Sequence, residues 1–223
     1  MPAARSYSQF CGLARALDVV GDRWSLLIVR ELLISPARYG ELYQFLAGAA
    51  TNLLADRLRG LENSGVIERR LDVERGCVVY ALTEWGEGLR EPVEALVRWS
   101  APLVAAGRGQ DAFNARWLVL ALQAIAGDRT SPRPVAIGIA VDGAELTLRR
   151  DKTGTSVTLG FAPRPATVLS ADPETVFSLA AGVISVRDAV TAGGVEGDPR
   201  ELAAVFASTA TPPPPSGSGL AIP

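Results

Sequence analysis

Apolar residues along this chain recur with two different periods. Between residues 50 and 70, Leu54, Leu58 and Leu61 fall at i, i+4 and i+7, a single stripe on a helix, and Asn52, Asp56, Arg59 and Asn63 take the opposite face. Gly65 stops that helix, and Val66-Ile67-Glu68-Arg69-Arg70 opens an extended segment. Upstream, apolar positions 13, 16, 17 and 20 predict a helix over residues 11–20, broken at Gly21-Asp22. Asp22 has the side chain to cap the next helix, residues 23–33, which is apolar on most sides and predicts the centre of a first core. Ser35-Pro36 signals a turn, and residues 39–46 give a short helix with Leu42, Phe45 and Leu46 inward. Residues 66–71 and 77–82 have period-two character around a loop whose Gly76 suits a left-handed position. Thr83 then caps a helical segment running to about residue 104, in which Pro92 either makes a kink or starts a second helix.

The pattern changes after a linker at Gly107-Arg108-Gly109. Residues 111–126 predict a helix whose run 117–122 is apolar on every side, so it is buried or lines a cavity or an interface. Strands are expected at 135–141, 144–150, 156–161 and 166–170, with turn signals at Asp142-Gly143 and Lys152-Thr153-Gly154. Asp172-Pro173-Glu174 opens a capped helix carrying Phe177, Leu179 and Ala180. Residues 186–190 give a short helix, Gly193-Gly194 a turn, and Asp198-Pro199 the start of a last helix with Leu202 and Phe206. Four consecutive prolines with serine and glycine make residues 209–223 a tail expected to stay disordered.

Two short helices joined by a tight glycine-containing turn, then a two-stranded ribbon, outline a winged helix-turn-helix. The whole chain reads as α+β, with one domain at 1–106 and a second at 110–208. Composition adds mostly exclusions. The formal net charge is −2 and neither side of residue 104 is basic, so a DNA footprint has to be local. Lys152 is the sole lysine; the remaining cations are arginines, which suit bidentate contacts to phosphate or guanine. The absence of histidine removes imidazole metal sites and Ser-His-Asp hydrolysis. Two cysteines, Cys11 and Cys77, are too few for a thiolate zinc site, so no metal or other cofactor is expected. No nucleophile stands with a base, and no enzyme is expected. Neither a signal peptide nor a membrane span is expected, which reads as a cytoplasmic protein with reduced thiols and no membrane partner.

The stretches CGLARALDVVGDRWSLLIVRELL, ARYGEL, LLADRLRGLENSGVIERR, YALTEWG and LREPVEALVRW follow in unbroken order over about residues 7–104. Together they resemble the HxlR family of winged-helix transcriptional regulators, relatives of the MarR group. That resemblance implies a homodimer on a double-stranded DNA operator, with the first and last helices of the domain as the dimer seam. Ala49-Ala50 stands where the family usually has Ile-Ser, leaving Thr51 as the nearest hydroxyl to cap the helix. Gly60 sits mid-helix, at about 1 kcal/mol relative to alanine. In the second half, the 117–122 helix, RPATVLSADPETVFSLAAG, VRDAV and EGDPRELAAVF are similar to the sterol-carrier-protein-type lipid-binding domain. This implies a curved sheet with helices around an apolar tunnel, and a hydrophobic, apolar or acyl-like small molecule as ligand. The glycine stretch 192–197 is shorter than usual there and leaves the final strand open.

Candidate sites follow. Thr51, Asn52, Ala55, Asp56 and Arg59 lie on the outward face or N-terminal half of the recognition helix, where asparagine pairs with adenine and arginine with guanine; a solvated helix face has the same pattern. Arg57 either clamps a phosphate or pairs with a carboxylate such as Glu62. Arg69, Arg70 and Arg75 flank or tip the wing, diluted by Glu68, Asp72 and Glu74. Arg38 and Tyr39 open the motif's first helix, where a phosphate can be held, and Tyr39 reads equally as a core aromatic. Trp117, Leu120, Phe161, Phe177 and Leu179 either line a ligand tunnel or belong to a filled core or a dimer surface. Cys11 matches a cysteine that some HxlR relatives use to sense oxidants or electrophiles, with Arg15 one turn away; a lone cysteine at a helix start is more often a small buried hydrophobe. The leading expectation is a dimeric DNA-binding regulator controlled by an apolar ligand in the second domain. The alternatives are a lipid carrier whose first domain only dimerises, and a redox regulator based on Cys11.

Overall fold

The computed structural model describes residues 6–105, 107–127 and 129–206; the tail expected at 209–223 lies outside them. The chain divides into two compact units, Met1–Val93 and Glu94–Pro223, and the division falls inside a helix. The first unit runs α1 (Gly12–Val20), α2 (Ser25–Ile34), α3 (Tyr39–Phe45), α4 (Thr51–Asn63), β1 (Ile67–Asp72), β2 (Cys77–Leu82), α5 (Glu84–Glu87) and the start of α6 (Arg90–Ala105).

Helix α2 is central because it is apolar nearly all round. It packs against α3, α4 and β2, and Ile28, Val29 and Leu32 are buried among Leu42, Leu54, Leu58, Leu61 and Val79. Asp22 does not cap it. Trp24 adopts φ 82° at the N-cap, and that left-handed step carries the Asp22 carboxylate off the helix end to Arg57, 3.0 Å away. Helix α4 ends in a Schellman motif. Val66 N–H donates to Leu61 O at 2.9 Å and Gly65 N–H to Glu62 O at 3.0 Å, with Gly65 at φ 73°. That turn aims the chain into β1, which pairs antiparallel with β2 from Ile67↔Leu82 to Asp72↔Cys77. Gly76 supplies the left-handed step of the hairpin loop at φ 59°. Ala37 and Tyr80 exchange backbone hydrogen bonds of 3.0 and 2.8 Å, fixing the approach to α3 against the hairpin. Thr83 caps α5 by accepting from Gly86 N–H at 3.0 Å. Pro92 lies in the first turn of α6, where no helical N–H is needed, so it starts a second helix rather than kinking one.

The second unit holds the rest of α6, then α7 (Trp117–Ala126), β3 (Val135–Val141), β4 (Ala144–Asp151), β5 (Gly154–Leu159), β6 (Thr167–Ser170), α8 (Pro173–Ala180), α9 (Val186–Ala192), β7 (Gly194–Glu196) and α10 (Pro199–Phe206). The sheet order is β5-β4-β3-β6-β7; β3 and β6 run parallel and the other pairs antiparallel. Ile137, Ile139, Leu146, Leu148 and Leu169 share one face and are completely buried. Three expectations need correction. The helix expected from residue 111 starts at Trp117, because Asn114 takes the Trp117 N–H on its carbonyl (2.9 Å) and the Arg116 N–H on its side chain (3.0 Å), closing turns instead. The strand expected over 156–161 spans Gly154–Leu159. Gly160, at φ 83°, turns the chain, and Phe161 lies over Gly138, where a Cβ would stand 2.8 Å from its ring. Gly193-Gly194 is not a free turn, since Gly194 opens β7 opposite Ser170 and supplies the strand left open by the sequence.

Candidate nucleic-acid interface

The amphipathic stripe places α4 as expected. Leu54, Leu58 and Leu61 are no more than 1% exposed, and Thr51, Asn52, Asp56 and Arg59 face solvent, with Ala55 half-buried beside them. Ala50 occupies the N-cap, so Thr51 is the first helical residue and no hydroxyl caps the helix. Tyr39 is 37% exposed and is not a core aromatic. Its hydroxyl donates to Thr51 O at 2.9 Å, tying the start of α3 to the start of α4. The outward face of α4 and the hairpin that follows it are thus held on one scaffold.

Charge on this surface is largely paired internally. Arg59 pairs with Asp56 three residues before it on α4, and Arg69 of β1 with Glu62 at 2.9 Å. Arg57 does engage a carboxylate, but that of Asp22; it also donates to Arg23 O at 3.3 Å, because its side of α4 faces the turn before α2. Arg75 of the hairpin loop pairs with Glu41 of α3, and Arg38 reaches the same oxygen at 3.5 Å. Arg70 is exposed and forms no ion pair among the described residues. Glu41 is the residue that sequence reasoning passed over. Its other oxygen accepts the Arg38 backbone N–H at 2.7 Å, filling the place at the start of α3 where a phosphate was expected. The signal was present as half of a capping box, a glutamate three residues after the N-cap Arg38, whose guanidinium has no acceptor to complete it. The Arg38 N–H, with the Arg75 and Arg38 side chains, holds the Glu41 carboxyl below the usual carboxylate range.

Cys11 is exposed at the N-cap of α1, where the N–H groups of Ala14 and Leu13 hold its thiol below its ordinary value; it is not a buried hydrophobe. The adjoining residues Gly12, Ala16 and Val19 line a cavity of about 620 Å³, with Val66, Trp85 and Leu89 on its other sides and Arg15 and Asp18 among its polar groups. In the second unit, Trp117 and Leu120 on α7 and Phe177 and Leu179 on α8 lie on helices that pack together; Leu120, Phe177 and Leu179 are buried and Trp117 half-buried. Phe161 is not brought to the same place as α10. It lies on the Gly138 and Val168 face of the sheet, whereas Arg150, on the opposite face, donates to the Val205 carbonyl of α10 at 2.9 Å. Among the described residues, no group of acidic and cysteine side chains is arranged to hold a metal, and no helix is long and apolar enough to cross a membrane.

Residues 19–106 match the family model described as the HxlR-like helix-turn-helix. The HTH-type transcriptional regulator YodB of Bacillus subtilis is 31% identical over 86 residues, which is 38% of this chain and 77% of the relative. The uncharacterised HTH-type transcriptional regulator Mb3122 of Mycobacterium bovis is 39% identical over 90 residues, 39% of this chain; the match spans 55% of that relative's length. Among solved structures, the quinone-bound YodB from B. subtilis is 30% identical with a TM-score of 0.35, covering 40% of this chain and 93% of that one.

Proposed function

The chain belongs to the HxlR family of helix-turn-helix transcriptional regulators, and we propose that it works as a homodimer on a roughly two-fold symmetric DNA operator. Helix α4 enters the major groove. Asn52, Asp56 and Arg59 read base edges, Thr51 and Ala55 lie at or beside the backbone, and Arg69 and Arg70 contact phosphate from the wing. The observation that carries this reading is the exposed polar face of α4 on a buried leucine stripe, followed directly by the hairpin. Fluorescence anisotropy with duplexes tiling the region upstream of the protein's own gene tests it. Arg59→Ala should lose about 1–3 kcal/mol on the preferred duplex and relax its base preference. Arg69→Ala should weaken all duplexes alike. Equal binding by the wild type and both variants, or binding to no duplex, refutes the reading.

We assign residues 110–208 to a sterol-carrier-type domain that takes an apolar or acyl-like ligand against α7 and α8, and place the protein in the cytoplasm. Such a ligand changes DNA affinity only if it binds the DNA-competent and DNA-incompetent states differently. Saturating the protein with a fatty acid during an operator titration tests this coupling; tight lipid binding with no change in operator affinity refutes it.

One observation favours a second input. An exposed thiol with a lowered pKa beside an apolar cavity suits reaction with an oxidant or an apolar electrophile. Cys11→Ser should abolish any loss of operator binding caused by peroxide or benzoquinone. A response that survives in the variant rules Cys11 out.

A further inference from the structure

We propose that Glu41 sets how strongly this protein grips DNA, by withholding Arg75 of the wing loop and Arg38 from the phosphate backbone. The inference rests on the winged-helix unit being the DNA-binding surface.

One carboxylate performs three tasks here. Its Oε2 accepts the Arg38 backbone N–H at 2.7 Å and so caps α3. Its Oε1 accepts from the guanidinium of Arg75, 34 residues along the chain, and from that of Arg38 at 3.5 Å. The loop that carries Arg75 is itself fixed, since the Arg75 N–H donates to Asp72 Oδ1 at 3.1 Å and Gly76 takes its left-handed step. The wing is therefore held at two points, to the segment before α3 by the Ala37–Tyr80 backbone pair and to α3 itself by the Arg75–Glu41 ion pair.

This pair differs from the others on the surface. Asp56 and Arg59 are both more than half exposed, and Glu62 caps no backbone N–H among the described residues; pairs of that kind are worth little in water and open readily to a phosphate. Glu41 has a side chain only 23% exposed and cannot swing away without uncapping α3. A phosphate approaching Arg75 must compete with an anion already in place, and an arginine that stays paired with its own carboxylate releases no counterion from DNA. Arg38 and Arg75 together then present one net positive charge rather than two.

The test uses the full chain and a mixed-sequence duplex of about 30 base pairs, with affinity measured over a series of sodium chloride concentrations. Glu41→Gln keeps an oxygen for the Arg38 N–H but removes the charge. The plot of log K against log salt should steepen by about 0.9–1.8, the gain of one or two phosphate contacts, with a several-fold rise in affinity at low salt. Adding Arg75→Ala to Glu41→Gln should remove about 0.9 of that steepening, the share of Arg75. An unchanged slope in Glu41→Gln overturns the inference. Arg75→Ala in the wild-type background is a second, independent arm that leaves α3 capped. It should leave the slope as it is, and a fall of about 0.9 would show that Arg75 already contacts phosphate, overturning the inference. A wild type that binds no duplex at any salt instead refutes the DNA reading itself.

Discussion

A Cβ on Gly86 would stand 2.0 Å from the Val66 carbonyl oxygen, so only glycine allows α5 to lie against the start of the wing. Gly86→Ala should cost about 2 kcal/mol or more, because backbone rather than a movable side chain blocks it, and urea unfolding followed by far-UV circular dichroism measures the loss. Thr83→Ala removes the hydroxyl that accepts the Gly86 N–H and donates to Gly65 O at 2.7 Å; about 1–2 kcal/mol is expected by the same measurement. Thr83 and Asp172 were legible in the sequence as caps because a cap and the N–H it serves lie three residues apart. The Asp22–Arg57 and Glu41–Arg75 pairs were not, because packing sets those partners; only Glu41's cap on the Arg38 N–H follows the same three-residue spacing. Asp22 serves Arg57 of α4, and Glu41 serves a wing residue whose distance in space no local pattern encodes.

Elements show the same division. Helix α4 passes through Gly60 without a break, and a Cβ there would meet nothing. Gly60→Ala should therefore stabilise the protein by about 0.5–1 kcal/mol, read as a rise in the urea midpoint; a fall would mean that an unseen neighbour occupies that space. Helix ends also set the response to acid. The Asp172 carboxyl is held low by the Thr175 hydroxyl and N–H, and Asp188 by the Ser185 hydroxyl and N–H. A carboxylate whose folded pKa lies below its unfolded value contributes fully above the unfolded value and loses that contribution as pH falls through the range between them. The urea midpoint should be level from neutral pH to about 5 and fall below it, and Asp172→Asn should flatten the fall. Strand β7 shows why element prediction failed where it did. Gly194-Val195-Glu196 has no pattern of its own and becomes a strand only because β6 offers Val168, Leu169 and Ser170 as partners.

At the scale of the molecule, the first unit was readable because its elements follow one another into contact, helix by helix and then hairpin. The sheet order of the second was not, since β3 pairs with β6 across two intervening strands and no sequence period encodes that choice. The same scale supplies a test of assembly. Helix α1 leaves Leu13 70% exposed and Leu17 39% exposed, and α6 exposes Trp99 and Leu103. These exposed apolar side chains suit the dimer seam expected at the first and last helices of the domain, and a two-fold operator requires two recognition helices at a fixed spacing. Leu13→Glu with Leu17→Glu places charge in the proposed seam without touching the buried α1 residues Ala14 and Val20. The wild type should sediment at twice the 23.4 kDa of a single chain and the doubly substituted protein at that single-chain mass. Its operator affinity should fall by about 100-fold or more, since a lone half-site loses the gain from joining two binding events. Its circular dichroism should not change. Wild-type sedimentation of that variant would place the seam elsewhere, and a monomer with undiminished operator affinity would mean that one winged-helix unit suffices.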